Sequence, residues 1–70
     1  INLASTSSET LRKSKTMLQM ELQHCATLGI KSLILHPGSN PSAADGIHLI
    51  ADALDEIFEQ DSSQVTILLE

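Results

Sequence analysis

The chain has 70 residues, a formal net charge of −5 and one cysteine, and Phe58 is its single aromatic residue. One cysteine excludes an internal disulfide framework and a Cys–Cys zinc pair, which fits a reducing, intracellular setting. The acidic balance argues against these residues forming a nucleic-acid-binding surface by themselves, because phosphate contacts need clustered Lys and Arg. No apolar stretch approaches the roughly 20 residues of a membrane-spanning helix, so we expect no membrane partner.

The size and composition also bear on domain organisation. A domain of this length buries only about 60% of its unfolded surface, and here the core must be built almost without aromatic side chains. The chain opens at Ile1, and its last apolar run reaches the final residue, Glu70. We therefore expect residues 1–70 to be a single partial domain that packs against the remainder of a longer chain.

The first predicted element is an amphipathic helix. Thr6 and Glu9 have the spacing of a capping box, which predicts a helix that begins near Ser7. Gly29 predicts its end, because glycine readily takes the left-handed conformation that closes a helix. The expected buried face, including three residues that widen it, consists of Leu11, Leu18, Leu22, Cys25, Met17, Met20 and Leu28.

A short strand and a turn follow this helix. Residues 30–35, IKSLIL, are too few for a helix between Gly29 and Pro37, so they predict a buried strand. The sequence PGSNP then breaks regular structure, and either Asn40 or Ser42 is placed to cap the next helix. With Gly38, the turn would also suit a phosphate at the helix start. A simple strand-to-helix turn is favoured, because the Lys of a phosphate-binding loop is absent.

The second helix is the clearest element of the sequence. Its apolar side chains recur at intervals of three and four, and its acidic ones lie largely off that stripe. The polar residues 60–64 form a loop, and residues 65–69, VTILL, predict a second buried strand. The expected buried stripe of the helix is Ile47, Ile50, Ala51, Leu54, Ile57 and Phe58.

The order loop-helix-strand-helix-strand predicts an α/β fold. Strands joined through a helix become parallel neighbours by a right-handed crossover, and parallel sheets are covered on both faces. This alternation is typical of barrels and of doubly wound sheets. Two strands complete neither architecture, so the expected partner is the remainder of the barrel or sheet.

Two residues that can bind a metal follow the two predicted strands directly. His36 and Glu70 come after aliphatic runs, and in parallel α/β folds function gathers at the carboxyl ends of strands. If the strands are neighbours about 4.8 Å apart, both side chains can reach one ion or one substrate. Imidazole and carboxylate are zinc ligand types. Alternatively, His36 only hydrogen-bonds a nearby carbonyl and Glu70 is solvated. For His36 the two interpretations weigh about equally, whereas for Glu70 the second is favoured.

Three other reactive side chains receive no functional assignment. His24 and Cys25 are adjacent on a helix and do not face each other. Cys25 lies on the predicted buried face, where a small core residue is the expected role. His48 adjoins the apolar stripe of the second helix as a surface residue.

At this point three stretches, INLAS, LGIKSLILHPGS and VTILLE, together resemble the endonuclease IV family of apurinic/apyrimidinic-site DNA repair enzymes. The most specific of them is HPGS at the end of an aliphatic strand. The resemblance implies a TIM-type (β/α)8 barrel, of which residues 1–70 form about a quarter, since such barrels need about 250 residues. It also implies a cluster of three zinc ions and hydrolysis of the phosphodiester 5′ to an abasic site in double-stranded DNA.

The same resemblance implies roles for individual residues. His36 matches a zinc ligand at the end of the third strand, and Glu70 matches a carboxylate that bridges two zinc ions after the fourth. No catalytic residue beyond these ligands, and no other cofactor, is implied. The family commonly has a histidine where this chain has Asn40, which leaves the role of Asn40 open.

The first functional hypothesis is thus a zinc-dependent DNA repair endonuclease. The enzyme would be the full-length protein, in the cytoplasm of a bacterium or in the nucleus or an organelle of a eukaryote, and the segment alone is expected to be inactive. One alternative is a divalent-metal sugar isomerase or epimerase with the same barrel. Another is a truncated, non-catalytic chain that binds a partner through exposed apolar faces.

Overall fold

A computed structural model describes all residues, 1–70. The predicted alternation of helices and strands is confirmed, and neither helix combines the length and hydropathy needed to cross a membrane. The elements in chain order are α1 (Ser8–Leu28), β1 (Ser32–Leu35), α2 (Ala43–Gln60) and β2 (Thr66–Leu69).

The two strands form a parallel two-stranded sheet. Ser32 pairs with Thr66 at one end and Leu35 pairs with Leu69 at the other, with no offset between them. The parallel pairing confirms the strand-helix-strand prediction, because a parallel neighbour is reached only through a crossover such as α2. Strand β1 begins at Ser32, two residues later than predicted.

Helix α1 begins and ends close to the predicted residues. Its N-cap is Ser7, whose Oγ accepts a hydrogen bond from the Thr10 amide at 3.3 Å. The predicted Thr6–Glu9 capping box is therefore wrong by one residue, although the predicted start near Ser7 is confirmed. At the other end Gly29 has a φ of 75°, and the Ile30 amide donates to the Cys25 carbonyl, which is a Schellman closure.

Helix α2 begins at the later of the two predicted caps. Ser42 has an extended backbone, and its Oγ accepts from the Asp45 amide at 3.3 Å. Asn40 is therefore free for other hydrogen bonds. The first turn of α2 also contains the buried residue Gly46, whose missing side chain lets the helix approach Asn40 and Ala4 closely.

The core lies between the two helices and one face of the sheet. Leu33 and Ile67 pack against it from β1 and β2. Leu3, from the loop before α1, is fully buried, which the helix and strand patterns did not predict. The core residues are Leu3, Leu18, Leu22, Cys25, Leu35, Ala53, Ile57 and Val65.

The expectation of two fully buried strands is wrong for the residues of this chain. Ile34 is 59% exposed and Leu68 is 48% exposed. These paired residues point away from the face that presents Leu33 and Leu35 to the helices, because side chains alternate along a strand. One face of the sheet is therefore open, and the helices cover the other except at Leu69, which pairs with Leu35 and is 55% exposed.

The helices bury narrower strips than their apolar patterns predict. On α2, Ala53 is fully buried, whereas Ile47 is 67% exposed and Phe58 is 48% exposed. On α1, the three residues expected to widen the buried face, Met17, Met20 and Leu28, are all at least half exposed. A two-layer arrangement explains this difference, because each helix contacts the sheet and the other helix along one side only.

The core assignment predicts unequal effects of one substitution made at two places on α1. Leu22→Ala removes a fully buried side chain and should lower the free energy of unfolding by about 2–5 kcal/mol, through lost burial and a residual cavity. Leu28→Ala, at a residue that is 73% exposed, is the matched control and should change it by less than about 0.5 kcal/mol. Urea unfolding followed by circular dichroism measures both, and equal losses would contradict this core.

Candidate metal site at the carboxyl end of the sheet

The structure brings His36 and Glu70 to neighbouring positions. The last pair of the ladder, Leu35 with Leu69, includes a hydrogen bond from the Glu70 amide to the Leu35 carbonyl at 3.0 Å, so the strand contact extends up to Glu70. That register sets Glu70 beside His36 at the carboxyl edge of the sheet. Both side chains are exposed. The predicted in-register parallel pairing of the two strands is thus confirmed, while metal binding by His36 and Glu70 stays a prediction.

Continuing the side-chain alternation one residue past β1 and β2 assigns His36 and Glu70 to the same face of the sheet. His36 lies two residues beyond Ile34, and Glu70 lies two residues beyond Leu68. Because side chains alternate, these positions belong to the open face, away from the helices. The arrangement therefore offers an imidazole and a carboxylate side by side above an apolar sheet surface.

His36 and Glu70 provide donor types that suit zinc, but they are only two donors. Zinc takes imidazole nitrogen and carboxylate oxygen, with four ligands in most sites. Residues 1–70 contain no group of three or more His, Cys, Asp or Glu side chains arranged to hold a metal. His36 and Glu70 therefore fit as two members of a ligand set, and the remaining ligands must come from outside these residues.

The turn that follows His36 is held by the first residues of the chain. The residues 1–5 are called here the opening segment, and the residues 36–40 are called the HPGSN turn. The Leu3 amide donates to the Pro37 carbonyl at 2.7 Å. The side chain of Asn2 bonds both backbone groups of Ser39, accepting from its amide and donating to its carbonyl at 3.2 Å each. These contacts join residues that are 34 to 37 positions apart in sequence.

Asn40 completes this connection from the other side. Its Nδ2 donates to the Ala4 carbonyl at 2.7 Å, and its Oδ1 accepts from the Ser42 amide at 2.8 Å. The role that the sequence left open is thus a structural one in this chain, because both ends of the amide have protein partners. The Ser39 and Ser42 amides donate to asparagine side chains, which favours the simple turn over the phosphate-binding alternative.

Gly38 is required where the two segments meet. Its φ is 116°, which L side chains rarely adopt, and a Cβ there would lie 2.9 Å from the Cα of Asn2. The turn therefore depends on glycine both for its backbone conformation and for the close approach of the opening segment.

Sequence reasoning missed two residues that support the site. Asn2 lies outside any periodic element, and its backbone amide donates to the Oγ of Ser14 at 2.8 Å. Ser14 is only 3% exposed and lies on the buried side of α1. The apolar pattern of the helix did not predict it, because serine is polar. The only sequence signal for Asn2 was its place within INLAS.

The remaining reactive side chains lie apart from the site. His24 and His48 are exposed on the two helices, and Cys25 is 8% exposed within the core, as predicted. A groove lies at the amino end of β2, between α1 and the α2–β2 connection. Its lining is almost entirely polar and includes Gln19, Gln23, Gln60 and Asp61.

Comparison with known proteins agrees with the sequence motifs. The chain is 42% identical over 72 residues to a probable endonuclease 4 of Thermosipho melanesiensis, covering 100% of this chain and 25% of that protein. It is 40% identical over 70 residues to a probable endonuclease 4 of Thermosipho africanus, with 97% and 25% covered. An endonuclease 4 homolog of Dictyostelium discoideum is 34% identical over 71 residues, with 97% and 13% covered.

The chain is thus an α/β segment with a parallel strand pair of the kind that places functional residues at its carboxyl edge. Its resemblance to the endonuclease IV family is confirmed by these relatives, and it spans a quarter or less of their length. No protein-family model matches the chain, and no solved structure matches it significantly.

The geometry of the turn predicts that two glycines differ in how they tolerate alanine. Gly29→Ala introduces only backbone strain, of about 1–2 kcal/mol, because nothing lies within 4 Å of the added Cβ. Gly38→Ala adds an overlap with Asn2 to the strain of a φ of 116° and should cost more.

Denaturant unfolding of both variants measures the difference. Amide hydrogen exchange at Leu3 and Ser39 should accelerate in the Gly38 variant alone. Equal destabilisation, with unchanged exchange in the turn, would show that the opening segment does not depend on Gly38.

Proposed function

We propose that this chain is part of a zinc-dependent DNA repair endonuclease that hydrolyses the phosphodiester 5′ to an abasic site in double-stranded DNA. The observation that supports the proposal most directly is the parallel register that sets Glu70 beside His36 on the open face of the sheet. The names of the relatives, probable endonuclease 4 and endonuclease 4 homolog, supply the reaction class.

The layering of the chain agrees with a sector of a TIM-type (β/α)8 barrel. In such a barrel the helices form an outer ring, and the other face of each strand lines the interior. Here both helices pack on the face presenting Leu33 and Leu35, and Ile34 and Leu68 remain open. The remainder of the barrel would cover that open face. His36 and Glu70 would then lie at its upper rim, where active sites of this architecture are found.

In this proposal His36 and Glu70 hold zinc together with ligands from the rest of the protein. A bound zinc cluster supplies positive charge to the phosphate and activates water for hydrolysis. His36 contributes a neutral nitrogen donor, and Glu70 contributes a negative charge that offsets part of the charge of the cations. With two donors only, residues 1–70 are not expected to cleave DNA by themselves.

The acidic side chains do not conflict with a DNA substrate. Asp52, Asp55, Glu56 and Glu59 are exposed on α2, which lies on the helix side of the sheet. Strand alternation assigns His36 and Glu70 to the opposite side. The basic groups that would contact the DNA backbone are therefore expected elsewhere in the protein, and the proposed site of action is the compartment that contains DNA.

The relatives favour the nuclease over the sugar isomerase or epimerase that the same barrel would also suit. Their names refer to an endonuclease and not to a sugar-converting enzyme. The exposed apolar side chains Ile34 and Leu68 agree equally with a barrel interior and with a binding surface. The arrangement of His36 and Glu70, together with the names of the relatives, favours the catalytic proposal over a binding surface.

The proposal predicts that His36→Ala in the protein containing this chain lowers both zinc content and cleavage of abasic-site duplex DNA. Removing a direct ligand should reduce cleavage by more than the roughly 10–100-fold expected for a residue that only supports a ligand. Treatment of the unmodified protein with a chelator should abolish cleavage.

The matched control is His48→Ala, which removes an exposed imidazole from α2. Its zinc content and cleavage rate should equal those of the unmodified protein. Unchanged zinc content and cleavage in His36→Ala would refute the ligand assignment.

A further inference from the structure

The main chain of His36 is fixed on both sides by hydrogen bonds. On its amino side the Leu35 carbonyl accepts from Glu70, and on its carboxyl side the Pro37 carbonyl accepts from Leu3. Only His36 and the ring of Pro37 lie between these two hydrogen-bonded carbonyls. Because it precedes a proline, its own backbone is also restricted to extended conformations. The opening segment therefore determines the path of the chain at His36 as directly as the sheet does.

Asn2 anchors the opening segment to the HPGSN turn. Its Oδ1 accepts from the Ala4 and Ser39 amides at 3.0 and 3.2 Å, and its Nδ2 donates to the Ser39 carbonyl at 3.2 Å. Its own amide is held by the buried hydroxyl of Ser14. The amide side chain thus uses donor and acceptor together, which a carboxylate of the same shape cannot do.

Asn40 repeats this pattern from the turn itself. Its donor bonds the opening segment at Ala4, and its acceptor bonds Ser42, the N-cap of α2. The Cβ that Gly46 lacks would lie 3.0 Å from the Cβ of Asn40, so α2 packs closely against this side chain. The position of Asn40 is therefore set by the helix, and through Ala4 it sets the opening segment.

We propose that Asn2 and Asn40 are positioning residues for the metal site. Their amides hold the HPGSN turn against the opening segment, so that the imidazole of His36 is presented beside Glu70 before any metal binds. Neither asparagine is itself a ligand in this inference. It rests on the proposed function, because it takes His36 to bind zinc.

The location of the pair separates this role from general stability. Asn2 and Asn40 are half-buried at the rim of the fold, and neither belongs to the hydrophobic core. Loss of one hydrogen bond there costs less stability than the loss of a core leucine. The geometry at His36 should therefore change before the fold is lost.

Two isosteric variants test the inference in the protein containing this chain, with Zn²⁺ alone as the probe. Asn2→Asp and Asn40→Asp keep the shape and the acceptor oxygen and remove the donor. We expect each to weaken Zn²⁺ binding about tenfold, in the range seen when a residue supporting a ligand is lost. Competition with a chromophoric chelator measures the affinity, and thermal melting confirms that each variant is folded.

The sign of the effect is informative. An added carboxylate near a cation site strengthens cation binding if electrostatics alone acts. Weaker binding therefore reports a change in ligand geometry. Ser39→Ala is the control from the same turn, because only the backbone of Ser39 bonds Asn2, and its affinity should stay within about twofold of the unmodified protein.

The outcomes separate this inference from the proposed function. If His36→Ala loses Zn²⁺ affinity while both Asp variants keep it, the positioning role is overturned and the proposed function stands. If His36→Ala keeps full affinity, the proposed function fails, and this inference fails with it. If both Asp variants unfold, the two amides serve general stability and the positioning role is overturned.

Discussion

The parallel pairing of β1 with β2 is the constraint on which the rest of the structure depends. Two strands that run in the same direction need a crossover, and α2 supplies it. The register of that pairing, Leu35 with Leu69, brings the residues after both strands to one edge of the sheet. His36 and Glu70 are 34 positions apart in sequence, and this pairing is what brings them to the same edge of the sheet.

The same pairing gives the sheet two unlike faces. The helices pack on the face that presents Leu33, Leu35 and Ile67, and they leave Ile34 and Leu68 exposed. Side-chain alternation then assigns His36 and Glu70 to the open face. In the proposed barrel, the helix-covered face would contribute stability, and the open face would line the interior with His36 and Glu70 at its rim.

The sheet and the hydrogen bonds of the opening segment together fix the chain on both sides of His36. The sheet orders the chain up to Leu35, and Asn2, Leu3 and Asn40 order it from Pro37 onward. A glycine at position 38 is the condition for this contact, because any larger residue would overlap Asn2. The contacts between the opening segment and the HPGSN turn are thus hydrogen bonds, whereas the contacts in the core are apolar.

The sequence by itself determined the helices and strands of this chain. The order of helices and strands, the Gly29 closure, the parallel sheet and the two residues after the strands all follow from spacing and turn chemistry, and HPGS indicated the family. Tertiary structure alone decided which face of each element is buried, as Ile47, Phe58 and Ile34 show. It also decided that Asn2 and Asn40 bond across the turn. The reason is range: periodicity and capping act over a few residues, whereas Asn2 meets Ser39 only after the chain has folded.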